Sequence, residues 1–181
     1  LDQDGLTPKR KIIKILSKEL TIPLKVMIRP RPGNFKYNEK ELSQMESDIL
    51  FCKSQGIKEV VLGVLNEKQC VDLISLERLL HYSSPMKITF HKAIDETVNI
   101  LEEIEKLVNY KNITSILTSG KGKFILDNKA LLIKIIEQFN NKINIILAGG
   151  IAKNNFEYIH NVFQWNEYHG RRIIGNLIDL Q

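Results

Sequence analysis

The sequence predicts an α/β protein of the TIM type, a (β/α)8 barrel with about six of its eight strands present. Three observations carry this expectation. Short apolar segments alternate with helical patterns along the chain. Those segments are apolar on both faces, as parallel strands covered by helices are. Polar residues and glycines gather at their C-terminal ends, where α/β folds place ligands. An open doubly wound sheet satisfies the same pattern. A complete barrel needs eight strands and about 250 residues, so six strand–helix units in 181 residues read best as most of a barrel with pieces absent. One domain is expected, spanning 1–181.

The elements follow in order. Thr7-Pro8 reads as an N-cap with proline at the first helical position, and Ile12, Ile13 and Leu16 supply the apolar stripe behind it. A strand is predicted over 24–29, ended by the proline-rich loop that follows. Asn38 with Glu41 forms a capping-box pattern, and Leu42, Met45, Ile49 and Cys52 lie three and four apart on one face of the helix it opens. Gly56 is its stop. Strand 59–64 precedes a helix over 73–82 capped by Asp72. Strand 87–91 leads to helix 98–108, strand 115–118 to helix 128–139 behind Asp127, and strand 144–147 to a helix near 154–160. A sixth strand is placed around 166–169.

The bulk properties exclude several classes. No stretch approaches twenty apolar residues, so no membrane partner is expected. The net charge of +5 comes from lysines scattered over helices and from pairs such as Arg171-Arg172, without interleaved aromatics, so nucleic acid is not an expected partner. The N-terminal residues contain no apolar targeting core and no initiator methionine. Two cysteines give no disulfide framework, which fits a reducing cytoplasm.

The strand ends bring together Arg29 and Arg31, Gly63, His91 with Lys92 and Asp95, Thr118-Ser119-Gly120, Gly149-Gly150, and His169. Alternation puts Met27 and Arg29 on one face of their strand and Thr89 and His91 on one face of theirs. The barrel interior takes these faces, because helices require the apolar ones. Arg29 then points inward near the mouth, where a structural ion pair across the rim is the competing role. His91 is a candidate acid–base group, against a structural donor to a backbone carbonyl. Asp95 would orient His91, pair with Lys92 or cap the following helix. Ser119, Gly120, Gly149, Gly150 and His169 complete the candidate ligand-binding set with Arg29, Arg31 and Lys92. The glycines suit the approach of a ligand oxygen to backbone amides, or simply a tight turn. Cys52 is expected as a core thiol. Cys70, in a loop on the functional rim, is the cysteine that could join Met27 as soft ligands for copper(I), although an ordinary loop cysteine explains it as well.

A family resemblance rests on motifs in order: Gly5-Leu6-Thr7-Pro8, MIRPRPGNFKY from Met27, VVLGVL from Val60, TFHKAID from Thr89, ILTSG from Ile116, GGI from Gly149 and EYHG from Glu167. Over residues 5 to about 171 the chain resembles the CutC family, known as copper homeostasis proteins. The resemblance implies an eight-stranded TIM-type barrel, a cytoplasmic (or nuclear) setting, and a homo-oligomer such as a dimer or tetramer. It implies copper(I) handling without an accepted catalytic reaction. It carries Arg29, Arg31, His91, Asp95, Ser119 and His169 as mouth positions. The chain departs from the family in several places. The family has two further strands before Gly5, each bearing a glutamate and a cysteine; an arginine at Lys92; a phenylalanine at Ile94; and serine-alanine in place of Arg171-Arg172. A fragment is the simplest reading of the missing strands. Three functions are thus open: copper(I) handling, an enzyme acting on a small anionic or phosphorylated substrate, and a non-functional remnant.

Overall fold

The computed structural model describes residues 5–171, 173 and 174. Helix α1 (Arg10–Glu19) leads into strand β1 (Lys25–Met27). The alternation continues through α2 (Glu39–Ser54), β2 (Glu59–Leu62), α3 (Leu73–Ser83), β3 (Lys87–Phe90), a 3₁₀ turn (Lys92–Glu96), α4 (Ile100–Leu107), β4 (Ile113–Thr118), α5 (Lys129–Phe139), β5 (Asn144–Leu147) and α6 (Phe156–Phe163). Every strand pairing is parallel, and the spatial order β1-β2-β3-β4-β5 equals the chain order. A doubly wound sheet reverses direction at a switch point and buries its first strand in the middle. This sheet never reverses, so among the described residues the architecture is an arc of a TIM-type α/β barrel.

The two faces of the arc differ. Val26, Ile28, Val60, Leu62, Ile88, Phe90, Ile116, Ile145 and Leu147 face the helices and are nearly or fully buried in one core with Leu42, Met45, Ile49, Leu76, Leu79, Ile104, Leu132, Ile135 and Phe139. The other face carries the in-register row Met27, Val61, Thr89, Ser115 and Asn144. Leu117, Ile146 and Ala148 form a small second cluster. Below them Lys25 pairs with Glu59 at 2.7 Å, and Thr89 donates to the same carboxylate at 2.8 Å. The interior is therefore polar in its middle, and the apolar drive that holds the sheet acts on the helix side.

Local signals placed most elements. The Asn38 side chain accepts from the Glu41 amide while Glu41 reaches back to the Asn38 amide, a complete capping box. Asp72 accepts from the Ser75 amide at the start of α3. Cys52 is fully buried, and burial pushes its thiol up to about 11.

Other expectations are corrected. Thr7 is not a helix cap: α1 begins at Arg10, and Thr7 instead pairs with Arg29, donating its amide to the Arg29 carbonyl (3.0 Å) and accepting the Arg29 amide on Oγ1 (2.8 Å). Arg29 lies past the end of a three-residue strand, so its backbone takes partners from the chain ahead of α1. Asp127 does not cap α5; it accepts from the Phe124 amide, and Asn128 takes the cap position. The helix predicted over 98–108 forms as α4, Ile100–Leu107, but the loop expected ahead of it holds the 3₁₀ turn Lys92–Glu96. The sixth strand reduces to one parallel bridge, Leu147 to Tyr168. Arg172 and the tail beyond Ile174 lie outside the described residues.

Replacing Asn38 by Ala should cost about 1 kcal/mol. In urea unfolding the midpoint should fall while the slope stays constant.

Candidate functional site

Each strand delivers a different chemical group to the C-terminal edge. After β1 comes Arg29, whose Nη2 donates to the Gly33 carbonyl at 2.8 Å and whose guanidinium stands 4.7 Å from the Phe35 ring centroid. After β3 comes His91, its ring 4.7 Å from the same phenylalanine. Gly63, after β2, makes the imidazole's position feasible: a Cβ there would come within 2.5 Å of His91 Nδ1. Phe35 thus has the His91 ring tilted against it and the Arg29 guanidinium over it, with a glycine from the intervening strand against the imidazole.

His91 is buried and neutral. Its amide donates to Leu62 and continues the β2–β3 ladder. Its Nδ1 accepts the Ala93 amide at 3.2 Å. Burial, and then the nearby Arg29 charge, lower its pKa from 6.5 to about 3. Above that value the ring carries no charge, so it is poorly matched to accepting a proton near neutrality. Tyr37 is half-buried beside the same arginine, and burial raises its hydroxyl above the usual range.

Asp95 has a role outside its expected three, apart from a long pairing with Lys92 at 3.7 Å. Its carboxylate accepts from the Thr118 hydroxyl, from the Ser119 amide (3.0 Å) and hydroxyl (2.9 Å), and from the Lys121 amide (3.2 Å). It neither orients His91 nor caps a helix; it ties the 3₁₀ turn to the loop after β4. Ser119 is fully buried in that arrangement. Gly120 has φ +66°, and a side chain there would meet Leu132 at 2.8 Å.

Gly149 and Gly150 serve close chain packing. Gly149, at φ +114°, would place a Cβ 2.8 Å from the Ile125 amide nitrogen, and its carbonyl accepts from that amide at 2.9 Å. A Cβ on Gly150 would lie 2.6 Å from the Phe124 ring. The space these glycines leave is occupied by Phe124 and Ile125 of the same chain. Arg31 is likewise turned to structure: it pairs with Glu41 at 2.6 Å and donates to the carbonyls of Pro32, Asn34 and Lys36 and to the Asn34 side chain. It folds the 31–37 loop that carries Phe35.

The remaining rim is cationic. Burial lowers the His169 pKa, and the charges of Arg171 and Lys92 lower it further, so these three groups share one neighbourhood. Glu96 lies near Arg29, its carboxyl raised by burial against the lowering field of that arginine. The soft-ligand candidates lie elsewhere. Cys70 donates to the Lys68 carbonyl at 3.6 Å in the β2–α3 loop, near Lys106 of α4. Met27 sits in β1 with Gly5 beside its methyl group. Among the described residues no group of three or more His, Cys, Asp or Glu side chains is placed to hold a metal ion. That donor set does not fit a preformed copper(I) centre. No described helix is long and apolar enough to cross a membrane.

Phe35 was not anticipated, because an aromatic residue after Gly-Asn in a loop carries no sequence signal for stacking on a residue of another strand. Thr118 was visible only as a strand-end hydroxyl; its bond to Asp95 depends on the turn after β3.

Consecutive parallel strands with a polar C-terminal edge define a TIM-type α/β barrel protein. At the level of fold alone, the dihydrodipicolinate synthase DapA-2 of Bacillus anthracis is similar (TM-score 0.56, 13% identity, 89% of this chain and 49% of that one). The CutC family model matches residues 1–174, and the chain belongs to the CutC family. A CutC family protein of Glaesserella parasuis is 36% identical over 86% of this chain and 63% of its own length. The human copper homeostasis protein cutC homolog is 31% identical over 93% of this chain and 62% of its own. The solved CutC structure from Streptococcus agalactiae superposes with TM-score 0.88 at 34% identity, covering 94% of this chain and 84% of that one. The chain thus spans less than two thirds of the length of those two curated relatives.

Two predictions follow from the site. Asp95→Ala removes an ionised acceptor from several donors at once and should cost about 3 kcal/mol, with Asp95→Asn costing less, in denaturant unfolding. The second concerns pH. His91 has a folded pKa of about 3 against an ordinary 6.5, so the unfolded chain binds the extra proton between these values. The stability from keeping His91 neutral is complete above about pH 6.5 and is lost as pH falls toward 3. Unfolding midpoints measured across that window should decline, and the decline should be shallower in His91→Gln.

Proposed function

We propose that this chain supplies the ligand-binding strand ends of a CutC-type copper homeostasis protein, and that these ends bind a small oxyanion of the phosphate or carboxylate class. The observation that carries the reading is the Arg29–Phe35–His91 cluster, with the cations Lys92 and Arg171 beside the buried His169 on the same rim. An arginine against an aromatic face keeps its charge while one side is desolvated, which strengthens its attraction for an anion. Asp95 does not cancel that field fully, since its carboxylate is engaged by the loop after β4.

Copper(I) handling is the second reading, favoured by what the related proteins are called. On this chain its support is a loop thiol, Cys70, and a thioether, Met27, lying on different elements. A cytoplasmic setting agrees with two unpaired thiols, Cys52 and Cys70. Assembly as a homo-oligomer is part of the same proposal.

The two readings separate by titration. With inorganic phosphate, calorimetry should show saturable binding that weakens about tenfold in Arg29→Gln and less in Lys92→Gln. Anaerobic copper(I) competition against a chelator should show at most weak uptake, unchanged in Cys70→Ser. Tight copper uptake abolished by Cys70→Ser, without phosphate binding, would overturn the anion reading in favour of the metal.

A further inference from the structure

The cluster of Arg29, Phe35 and His91 contains a buried polar atom of His91 without a partner among the described residues. Because Nδ1 of His91 accepts the Ala93 amide, the neutral ring carries its proton on Nε2. That Nε2–H is buried and has no hydrogen-bond partner among the described residues, in a residue only 3% exposed. A buried donor left unpaired destabilises the fold, and native proteins rarely keep one without a purpose. Its surroundings offer aromatic and backbone neighbours: Phe35 at 4.7 Å, Phe90 at 6.1 Å, and Gly63 against the ring. The charged group that acts on the ring is Arg29, a cation and therefore no acceptor. Asp95, the carboxylate nearest in sequence, is bonded to the loop after β4.

We infer that His91 is a neutral hydrogen-bond donor to the bound oxyanion, with Nε2–H directed to a ligand oxygen whose charge Arg29 balances. This rests on the anion-binding reading and deepens it: Arg29 supplies attraction, and His91 supplies direction. No proton changes hands. A neutral imidazole donor is effective in such a place because it stabilises negative charge without itself requiring solvation. Phe35, lying against the ring, is the side chain that has to yield for a ligand oxygen to reach Nε2. Loop 31–37, held by Arg31, is thereby coupled to occupancy of the site.

The test uses inorganic phosphate at pH 7 with this chain selectively labelled with ¹⁵N at histidine. The expected result is a His91 ring that shows the neutral Nε2–H tautomer both free and bound, with its Nε2–H resonance moving on saturation. Phosphate affinity should fall at least tenfold in His91→Phe and recover most of that loss in His91→Gln, whose amide can still donate. The inference is overturned if the bound ring is an imidazolium, if its Nε2–H resonance does not respond, or if His91→Phe binds phosphate as the wild type does. Binding that depends on Arg29 but not on His91 would remove this inference alone. Absence of phosphate binding in the wild type would remove the anion-binding reading with it.

Discussion

The structure depends on burying one face of a parallel sheet beneath helices. Val60, Leu62, Ile88, Phe90, Ile116, Ile145 and Leu147 are committed to that contact, and each is fully buried. A parallel strand has little freedom once this face is fixed: its neighbours in sequence point the other way, and its polar residues are displaced to the ends. The in-order, unreversed pairing then brings every C-terminal end to the same edge. Arg29, Gly63, His91, Ser119 and Gly149 reach one edge because the hydrophobic requirement on the other face aligns their strands, although they are distant in sequence.

Within that edge, much of the charge is structural. Arg31 spends its donors on the loop that presents Phe35, and Asp95 spends its acceptors on Thr118, Ser119 and Lys121. Glycines at 120, 149 and 150 let chain segments approach each other. Beside these groups the same edge carries Arg29, itself bonded to the Gly33 carbonyl, with His91, Lys92 and His169, and Arg171 next to them. Loss of Asp95 or Arg31 would disturb binding by moving the loops, and would affect stability first.

The fold was largely legible because its signals are local. A capping box at Asn38, an Asp72 cap and apolar segments separated by helical stripes need only a few residues of context. The errors lie where a distant partner overrides the local signal. Thr7-Pro8 has the chemistry of a helix start, but the edge-strand backbone at Arg29 claims Thr7. Asp127 has the chemistry of a cap, but Phe124 claims it. The strand expected around 166–169, Asn-Glu-Tyr-His, pairs at Tyr168 alone. The site was legible as a list of residues and hardly at all as a set of roles. Spacing places Arg29, His91 and Asp95 at strand ends, but the tautomer of His91 follows from the Ala93 amide and the engagement of Asp95 from the loop after β4.

The chemistry of the assembled group favours a hard, negatively charged ligand over a soft cation. Arg29, Lys92 and Arg171 raise the local potential, which attracts anions and repels a metal ion unless several anionic donors offset it. The thiol and thioether that would bind copper(I) well lie on different elements: Cys70 belongs to the loop near Lys106, and Met27 is the last residue of β1. The same potential explains His91. Beside Arg29 and out of water, an imidazolium would be doubly disfavoured, so the ring stays neutral and keeps a proton available for hydrogen bonding. Positive charge from arginine and an uncharged directed donor from histidine are complementary means of holding an oxyanion. Neither would assist a copper(I) ion, whose preferred ligands donate electron pairs and not protons.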